Sequence, residues 1–329
     1  MSEHILEVKN LRTSFFTAEG EVKAVNDISF AIEKGKTLGI VGESGSGKSI
    51  TSLSILGLFA GTTGKVIGGE ILFQGENLLE KTQHQMMKIR GKHISMIFQE
   101  PMTSLNPTMN CGEQIAETLR THQGLNRAQA KEKAVEMLRL VGIPEPEKRA
   151  GLYPFELSGG MRQRVMIAIA LSCNPDLLIA DEPTTALDVT IQAQILELIK
   201  KLQQELGTSL IMITHDMGVI AEMCDYVAVM YCGKIVEYTD VKTLFTAPKH
   251  PYTVALLNSI PSHEIDIEGD LQTISGTVPS PYDLPPGCLF APRCPEARDA
   301  CHQSLPELTK VEGGGQVRCF VHGNGKGEA

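Results

Sequence analysis

Gly42-Glu43-Ser44-Gly45-Ser46-Gly47-Lys48-Ser49 fits the pattern G-x-x-x-x-G-K-[ST] and stands between a short apolar run and a helical pattern. The run before it, Thr37-Leu38-Gly39-Ile40-Val41, is short, apolar and followed at once by glycine, as a buried parallel strand reads. Gly42, Gly45 and Gly47 let the backbone take positive φ and curl around an anion with successive N–H groups turned inward. From Lys48 the pattern turns helical through Ile50, Leu53, Leu56 and Leu58. The stretch therefore opens a helix, where uncovered N–H groups and the helix dipole favour negative charge. In a phosphate loop of this kind Lys48 reaches the β- and γ-phosphates of ATP and the Ser49 hydroxyl ligates Mg²⁺. A glycine-rich surface turn with an incidental Lys-Ser is the competing reading, and the strand and helix flanks weigh against it.

A chain of 329 residues has room for one large domain and a smaller one. Hydrophobic residues at 42% and charged residues at 21% suggest neither disorder nor a membrane class. The longest apolar run, Val165 to Leu171, is far short of the ~18 residues that cross a bilayer. The N-terminus shows no basic stretch followed by an apolar segment, so the expected location is cytosolic. A formal charge of −9 argues against a sequence-independent nucleic-acid binder. Eight cysteines in a reducing compartment are then thiols or metal ligands rather than disulfides.

Residues Ile5 to Asn10 alternate loosely, and Ala31-Ile32-Glu33 runs into the turn Lys34-Gly35-Lys36, so the chain is expected to open with an antiparallel β layer. Phe15 lies in its first connection, placed either to stack on a base or to fill the β layer's core. Gly69 to Gly75 reads as a hairpin strand, and Ile94 to Phe98 as a second core strand ending at Gln99, a polar amide where ligands of open α/β sheets bind. From about residue 100 to 156 strands give way to helices. Asn126 with Gln129 forms a capping-box start, Ala130, Ala134, Leu138 and Val141 an apolar stripe, and Gly142 a stop.

Leu157-Ser158-Gly159-Gly160-Met161 then leads into another helix, with Ser158 as its cap and two glycines leaving N–H groups uncovered, a second anion-binding helix start. Leu177 to Ala180 is an apolar strand ending in Asp181 and Glu182. In phosphate-loop enzymes the aspartate at such a place holds Mg²⁺. Glu182 is then placed to orient or deprotonate a water in line with the γ-phosphate. Ala186-Leu187-Asp188 follows on the same rim, and the helix from Ile191 to Leu206 stops at Gly207. Ser209 to Thr214 is a core strand that ends in His215, and Tyr226–Met230 with Lys234–Tyr238 forms a hairpin around Cys232-Gly233.

In this order the six motifs resemble those of the ABC-type ATPases, over residues 1 to about 240. The resemblance implies an α/β fold: a phosphate-loop NTPase core with an antiparallel β subdomain and a helical insertion, followed by a small irregular cysteine-rich C-terminal region. It implies that Gln99 senses a transmembrane partner and stands with Ser49 and Asp181 around Mg²⁺. Phe15 takes the place of the adenine-stacking aromatic, His215 that of the switch histidine, and Asp188 joins the nucleotide-contacting set with Gly42 to Ile50. Ser158, Gly159 and Gly160 become the signature that caps the ATP of a second subunit, so that two chains packed head to tail share two nucleotides.

A narrower resemblance rests on Pro101 to Pro107, on His250-Pro251-Tyr252-Thr253 with Ala255-Leu256-Leu257, and on the cysteine-bearing tail, residues 241–329. These are similar to the ATPase subunits of oligopeptide and dipeptide importers; related importers carry nickel, glutathione or sugars. The partners implied are a second, related ATPase subunit, two transmembrane permeases and, indirectly, an extracytoplasmic binding protein. The place implied is peripheral, at the cytoplasmic face of the membrane. A soluble ABC ATPase without a membrane partner is the alternative. In the tail, Cys288, Cys294, Cys301 and Cys319 are separated by five, six and seventeen residues, too wide for paired zinc knuckles. That spacing favours a cuboidal cluster, and the resemblance implies [4Fe–4S]; zinc and four free thiols are the alternatives. The many turn formers around these cysteines suggest a segment with little core of its own.

Overall fold

The computed structural model describes residues 3–185, 187–259, 274–312 and 314–323. The chain begins with β1 (His4–Thr17), β2 (Gly20–Glu33), β3 (Thr37–Val41), α1 (Lys48–Leu56), β4 (Gly64–Phe73), β5 (Glu76–Asn77), α2 (Gln83–Ile89) and β6 (Ile94–Ile97). A helical stretch follows: α3 (Pro101–Ser104), α4 (Cys111–Gln123), α5 (Arg127–Leu140), α6 (Pro146–Arg149) and α7 (Gly159–Leu171). Then come β7 (Leu177–Asp181), α8 (Val189–Leu206), β8 (Ser209–Ile213), α9 (Met217–Met223), β9 (Tyr226–Tyr231) and β10 (Lys234–Asp240). The remainder holds α10 (Val241–Thr246), α11 (Pro251–Asn258), α12 (Asp299–Gln303), β11 (Thr309–Lys310) and β12 (Gln316–Val317). The elements fall into two interleaved units: Met1–Leu6, Ile32–Thr37 and Phe73–Ile213 in the first, Glu7–Ala31, Leu38–Leu72 and Thr214–Ala329 in the second.

In the first unit β6, β7 and β8 pair in parallel, with Ile94 opposite Leu177 and Leu177 opposite Ser209. Every residue of these strands is buried, which is why they read as unbroken apolar runs rather than alternating ones. Helix α7 packs against β6 and also meets α4 and α5. Local chemistry sets the helix ends. The Asn110 side chain accepts from Glu113 N at 2.8 Å, and Asn126 with Gln129 closes a full capping box. Helix α5 stops at Leu140, ahead of Gly142 at φ 75, where the Arg164 guanidinium covers the Val141 carbonyl at 2.5 Å.

In the second unit β2, β1 and β4 lie side by side, and β1 and β2 are longer than their short alternating patterns suggested, at 14 residues each. Strand β3 pairs in parallel with β9, Leu38 opposite Tyr226. The hairpin β9–β10 then continues antiparallel into β12 and β11. Helix α1 ends at Leu56, short of the Leu58 expected, because Gly57 at φ 62 terminates it with N–H bonds back to Leu53 and Ser54.

Helix α11 begins on a buried carboxylate: Glu237, 2% exposed, accepts from Lys249 N and His250 N, each at 2.8 Å. The His250 Nδ1 in turn accepts from Tyr252 N at 3.0 Å, a bond that requires an unprotonated nitrogen. Burial pushes this imidazole down to about 3, aided by the neighbouring charges of His322 and Arg318. Since its folded value lies below that of the unfolded chain, ~6.5, the unfolded state takes up the proton first and stability falls as pH drops below that value. His250→Asn keeps a cap acceptor without the titration. It is expected to lose less melting temperature than the wild type between pH 7 and pH 5; equal losses would show that His250 is not the source.

Candidate functional site

The phosphate loop, Phe15 and His215 belong to the second unit. Buried β3 delivers the chain into the loop at Gly42, whose φ is 154 and where an added Cβ would run into the Met230 carbonyl. At Gly47, φ 100, a Cβ would strike the Ala24 carbonyl. These two positions admit only glycine, and the backbone between them is free to cup an anion. Gly47 caps α1 with no side-chain bond, leaving the first-turn N–H groups uncovered by a cap. Lys48, 6% exposed, donates through Nζ to the Gly42 carbonyl at 2.7 Å and the Glu43 carbonyl at 3.1 Å, curling over the loop. The Ser46 hydroxyl is buried without a hydrogen-bond partner among the described residues. An orphaned hydroxyl inside an amide cradle is what a phosphate oxygen satisfies, so the residues present fit a nucleotide phosphate. Gly45 and Ser44 form the exposed crest, and Ser49 and Ile50 are half-buried on the helix's first turn.

Phe15 sits on β1, half-buried, with its ring edge-to-face on Phe59 at 6.1 Å. His215 is exposed. The backbone around it is fixed by Thr214 N on the Ile40 carbonyl at 3.3 Å and by Asp216, which caps α9 through Gly218 N at 2.8 Å.

The first unit holds Gln99, Ser158, Gly159, Gly160, Asp181, Glu182 and Asp188. Asp181 ends β7 and is 4% exposed. At Glu182 the chain takes a φ of 45, a conformation few non-glycine residues adopt, while its N–H donates to the Ile213 carbonyl at 2.8 Å. The Glu182 Oε2 accepts from Gln99 Nε2 at 3.1 Å and from the Thr185 hydroxyl at 2.9 Å. Two donors on one oxygen fix the carboxylate's orientation. Thr185 was not singled out in the sequence; its place three residues after Glu182 was the signal.

Ser158 caps α7 by accepting from Met161 N at 3.4 Å, and Gly159 and Gly160 make up its first turn. An added Cβ on Gly160 would press on Ile191 at 2.9 Å, so glycine here lets α7 sit close to the start of α8. Asp188 caps α8 through Ile191 N at 3.0 Å. The Gln163 amide donates to the Pro183 carbonyl at 2.6 Å and ties α7 to the segment after Glu182. Ala186, beside Leu187 and Asp188, lies outside the described residues.

The tail corrects the expectation of a metal centre. Cys288, Cys294, Cys301 and Cys319 line one cavity of about 10 Å³, room for a single water. Yet among the described residues no group of three or more His, Cys, Asp or Glu is arranged to hold a metal ion, so neither the [4Fe–4S] cluster nor zinc is supported. All eight cysteines are free thiols. Burial pushes Cys288 and Cys319 up and takes Cys294 to about 11, which keeps these sulfurs protonated rather than thiolate. The inference failed because the tail does not lack a core. Phe290, 1% exposed, packs edge-on against Tyr231 at 5.4 Å and meets Tyr252 at 5.4 Å; Tyr231 and Tyr252 lie 4.7 Å apart. Strand β12 is stitched to β10, and Arg318 N adds a bond to the Val236 carbonyl at 2.8 Å. Among the described residues no helix is long and apolar enough to cross a membrane.

Comparison with known proteins identifies the family. The family described as ABC transporter matches residues 25–185, and the one described as oligopeptide/dipeptide transporter, C-terminal region, matches residues 236–301. The chain is 55% identical over 318 residues to the oligopeptide transport ATP-binding protein AppD of Bacillus subtilis, spanning 97% of both chains. It is 51% identical to the oligopeptide transport ATP-binding protein OppD of Escherichia coli, over 97% of this chain and 94% of that one. Among solved structures it is similar to the dimeric post-hydrolysis state of the ATP-binding cassette MJ0796 bound to ADP and Pi. The TM-score is 0.65 at 28% identity, covering 72% of this chain and 98% of that one. The chain belongs to the ABC transporter family, among the ATP-hydrolysing, ATP-binding subunits of oligopeptide transporters.

Proposed function

We propose that this chain powers uptake of peptides, working at the membrane surface with two permease subunits and paired with a related second ATPase. What carries the reading is the phosphate loop with its Ser46 hydroxyl, buried and unpartnered among the described residues, and its in-turned Lys48, in a chain similar along its length to oligopeptide-transport subunits. As an ABC ATP-binding subunit it uses ATP with Mg²⁺ and works with membrane permeases. Lys48 and the loop amides hold phosphate oxygens, and Phe15 contributes its ring to the adenine. Ser49, Asp181 and Gln99 are the residues that would hold Mg²⁺, which supplies neutralising charge on the phosphates when bound. Glu182, oriented by Gln99 and Thr185, takes the proton from the attacking water. His215 steadies the γ-phosphate.

In this reading Ser158 and the signature glycines act on the nucleotide of a partner chain, and the similar cassette MJ0796 is itself dimeric. Substituting Ser158→Arg is therefore expected to leave nucleotide affinity at this chain's own loop unchanged. Turnover of the assembled transporter should fall by roughly 10²-fold or more, the usual loss when a transition-state donor is removed. Full turnover by the assembled variant would defeat the shared-site reading. The function itself is tested by reconstituting the chain with its co-purifying permeases in vesicles. ATP-dependent peptide accumulation that stops with Lys48→Ala is the expected result, and accumulation of another solute class in place of peptides overturns it.

A further inference from the structure

Glu43 is an odd residue for an anion loop, since a carboxylate there repels a triphosphate unless something offsets it. The offset comes from the C-terminal region of the same unit. Arg293 meets Glu43 at two points, Nη1 on Oε2 at 2.7 Å and Nη2 on Oε1 at 3.1 Å. Its remaining N–H groups reach the Tyr231 hydroxyl at 3.2 Å, the Ser275 carbonyl at 3.0 Å and the Ile274 carbonyl at 3.3 Å. All the donors of the guanidinium are thus engaged, in a fixed fork that is 4% exposed. Glu43 is held through its main chain as well. Its N–H donates to the buried Tyr252 hydroxyl at 2.8 Å, and its carbonyl receives Lys48 Nζ at 3.1 Å. The peptide that Lys48 rests on is therefore clamped by Tyr252 on one side and by Arg293 through the side chain.

We propose that Arg293 and Tyr252 are positioning residues of the nucleotide site, which neutralise and orient Glu43 so that the C-terminal region sets the phosphate loop's affinity for MgATP. The proposal rests on the reading of residues 42–49 as the nucleotide loop. Neither residue is proposed to touch the nucleotide. Arg293 acts by removing a repulsive charge and Tyr252 by fixing the backbone. Loss of the arginine alone should therefore be worse than loss of both charges, because an unpaired carboxylate is left beside the phosphates.

The test is titration of the purified full-length chain with a fluorescent ATP analogue and Mg²⁺, alongside thermal melts without nucleotide. Arg293→Met is expected to weaken binding roughly 10- to 100-fold, and the double variant Glu43→Gln with Arg293→Met to recover to within about 5-fold of Glu43→Gln alone. Wild-type affinity in Arg293→Met, or a double variant as weak as Arg293→Met, overturns the proposal. Should Arg293→Met fail to fold, Tyr252→Phe decides. It removes one hydrogen bond and no charge, and should weaken binding about 3- to 10-fold with little change in melting temperature. An unchanged affinity there also overturns it. Lys48→Ala serves as the control, since a Lys48→Ala chain that binds as tightly as wild type would refute the nucleotide loop rather than the clamp.

Discussion

Glu182→Gln is expected to keep MgATP binding and lose transporter turnover by about 10²- to 10⁴-fold, the range for removal of a general base. The amide fills the same space and leaves Asp181 and the phosphate loop untouched. It still offers an oxygen to Gln99 Nε2 and to the Thr185 hydroxyl, whose bonds to Glu182 are 3.1 and 2.9 Å. It cannot accept a proton from water. The variant should therefore trap ATP rather than reject it, and the nucleotide-bound pair should persist. Measuring nucleotide occupancy and phosphate release on the same reconstituted sample separates the two steps. Near-normal release would remove Glu182 from the proposed role and leave it a strand-end residue held at an unusual φ.

Phe290→Ala is expected to destabilise the chain by about 3–5 kcal/mol, the cost of emptying a well-packed aromatic site. The ring is 1% exposed and packs on Tyr231, Tyr252 and His250. Their anchors lie on β9, at the head of α11 and just before it, so the vacated space cannot close without moving a core strand. A fall of about 10 °C in melting temperature follows for a chain of this size. Limited proteolysis should cut first within residues 288–323. A loss below about 1 kcal/mol would mean that the C-terminal region is held by β12 and Arg318 rather than by the aromatic cluster.

The features legible in the sequence were those written in neighbouring residues. Asn126 with Gln129, Ser158 and Asp188 each announce a helix start because an N-cap is a contact across three residues. Gly207 announces a stop for the same reason, and Gly57 carried an equal signal that the apolar spacing of Leu53, Leu56 and Leu58 obscured. Strands β3, β7 and β8 were readable as apolar runs ending in glycine, Asp181 and Thr214. What escaped was assembled from distant segments. The cluster of Tyr231, Tyr252 and Phe290 leaves no periodic trace, so the tail seemed to need metal cross-links that its own packing makes unnecessary. Gln99 and Glu182 were both named, but that one donates to the other depends on the parallel pairing of β6 with β7. Glu43 read only as one of the nucleotide-contacting residues, and its ion pair went unseen because the partner is encoded 250 residues away.

That separation also has a temporal meaning. At about 5–20 residues per second, a ribosome takes on the order of 10–50 s to travel from Glu43 to Arg293. Through this interval the nascent phosphate loop carries an uncompensated carboxylate, and β9, α11 and the Phe290 segment have yet to emerge in full. If the proposed pairing sets the loop's affinity, the emerging chain is a poorer match for ATP until Arg293 has been made, and nucleotide capture follows translation of the C-terminal region.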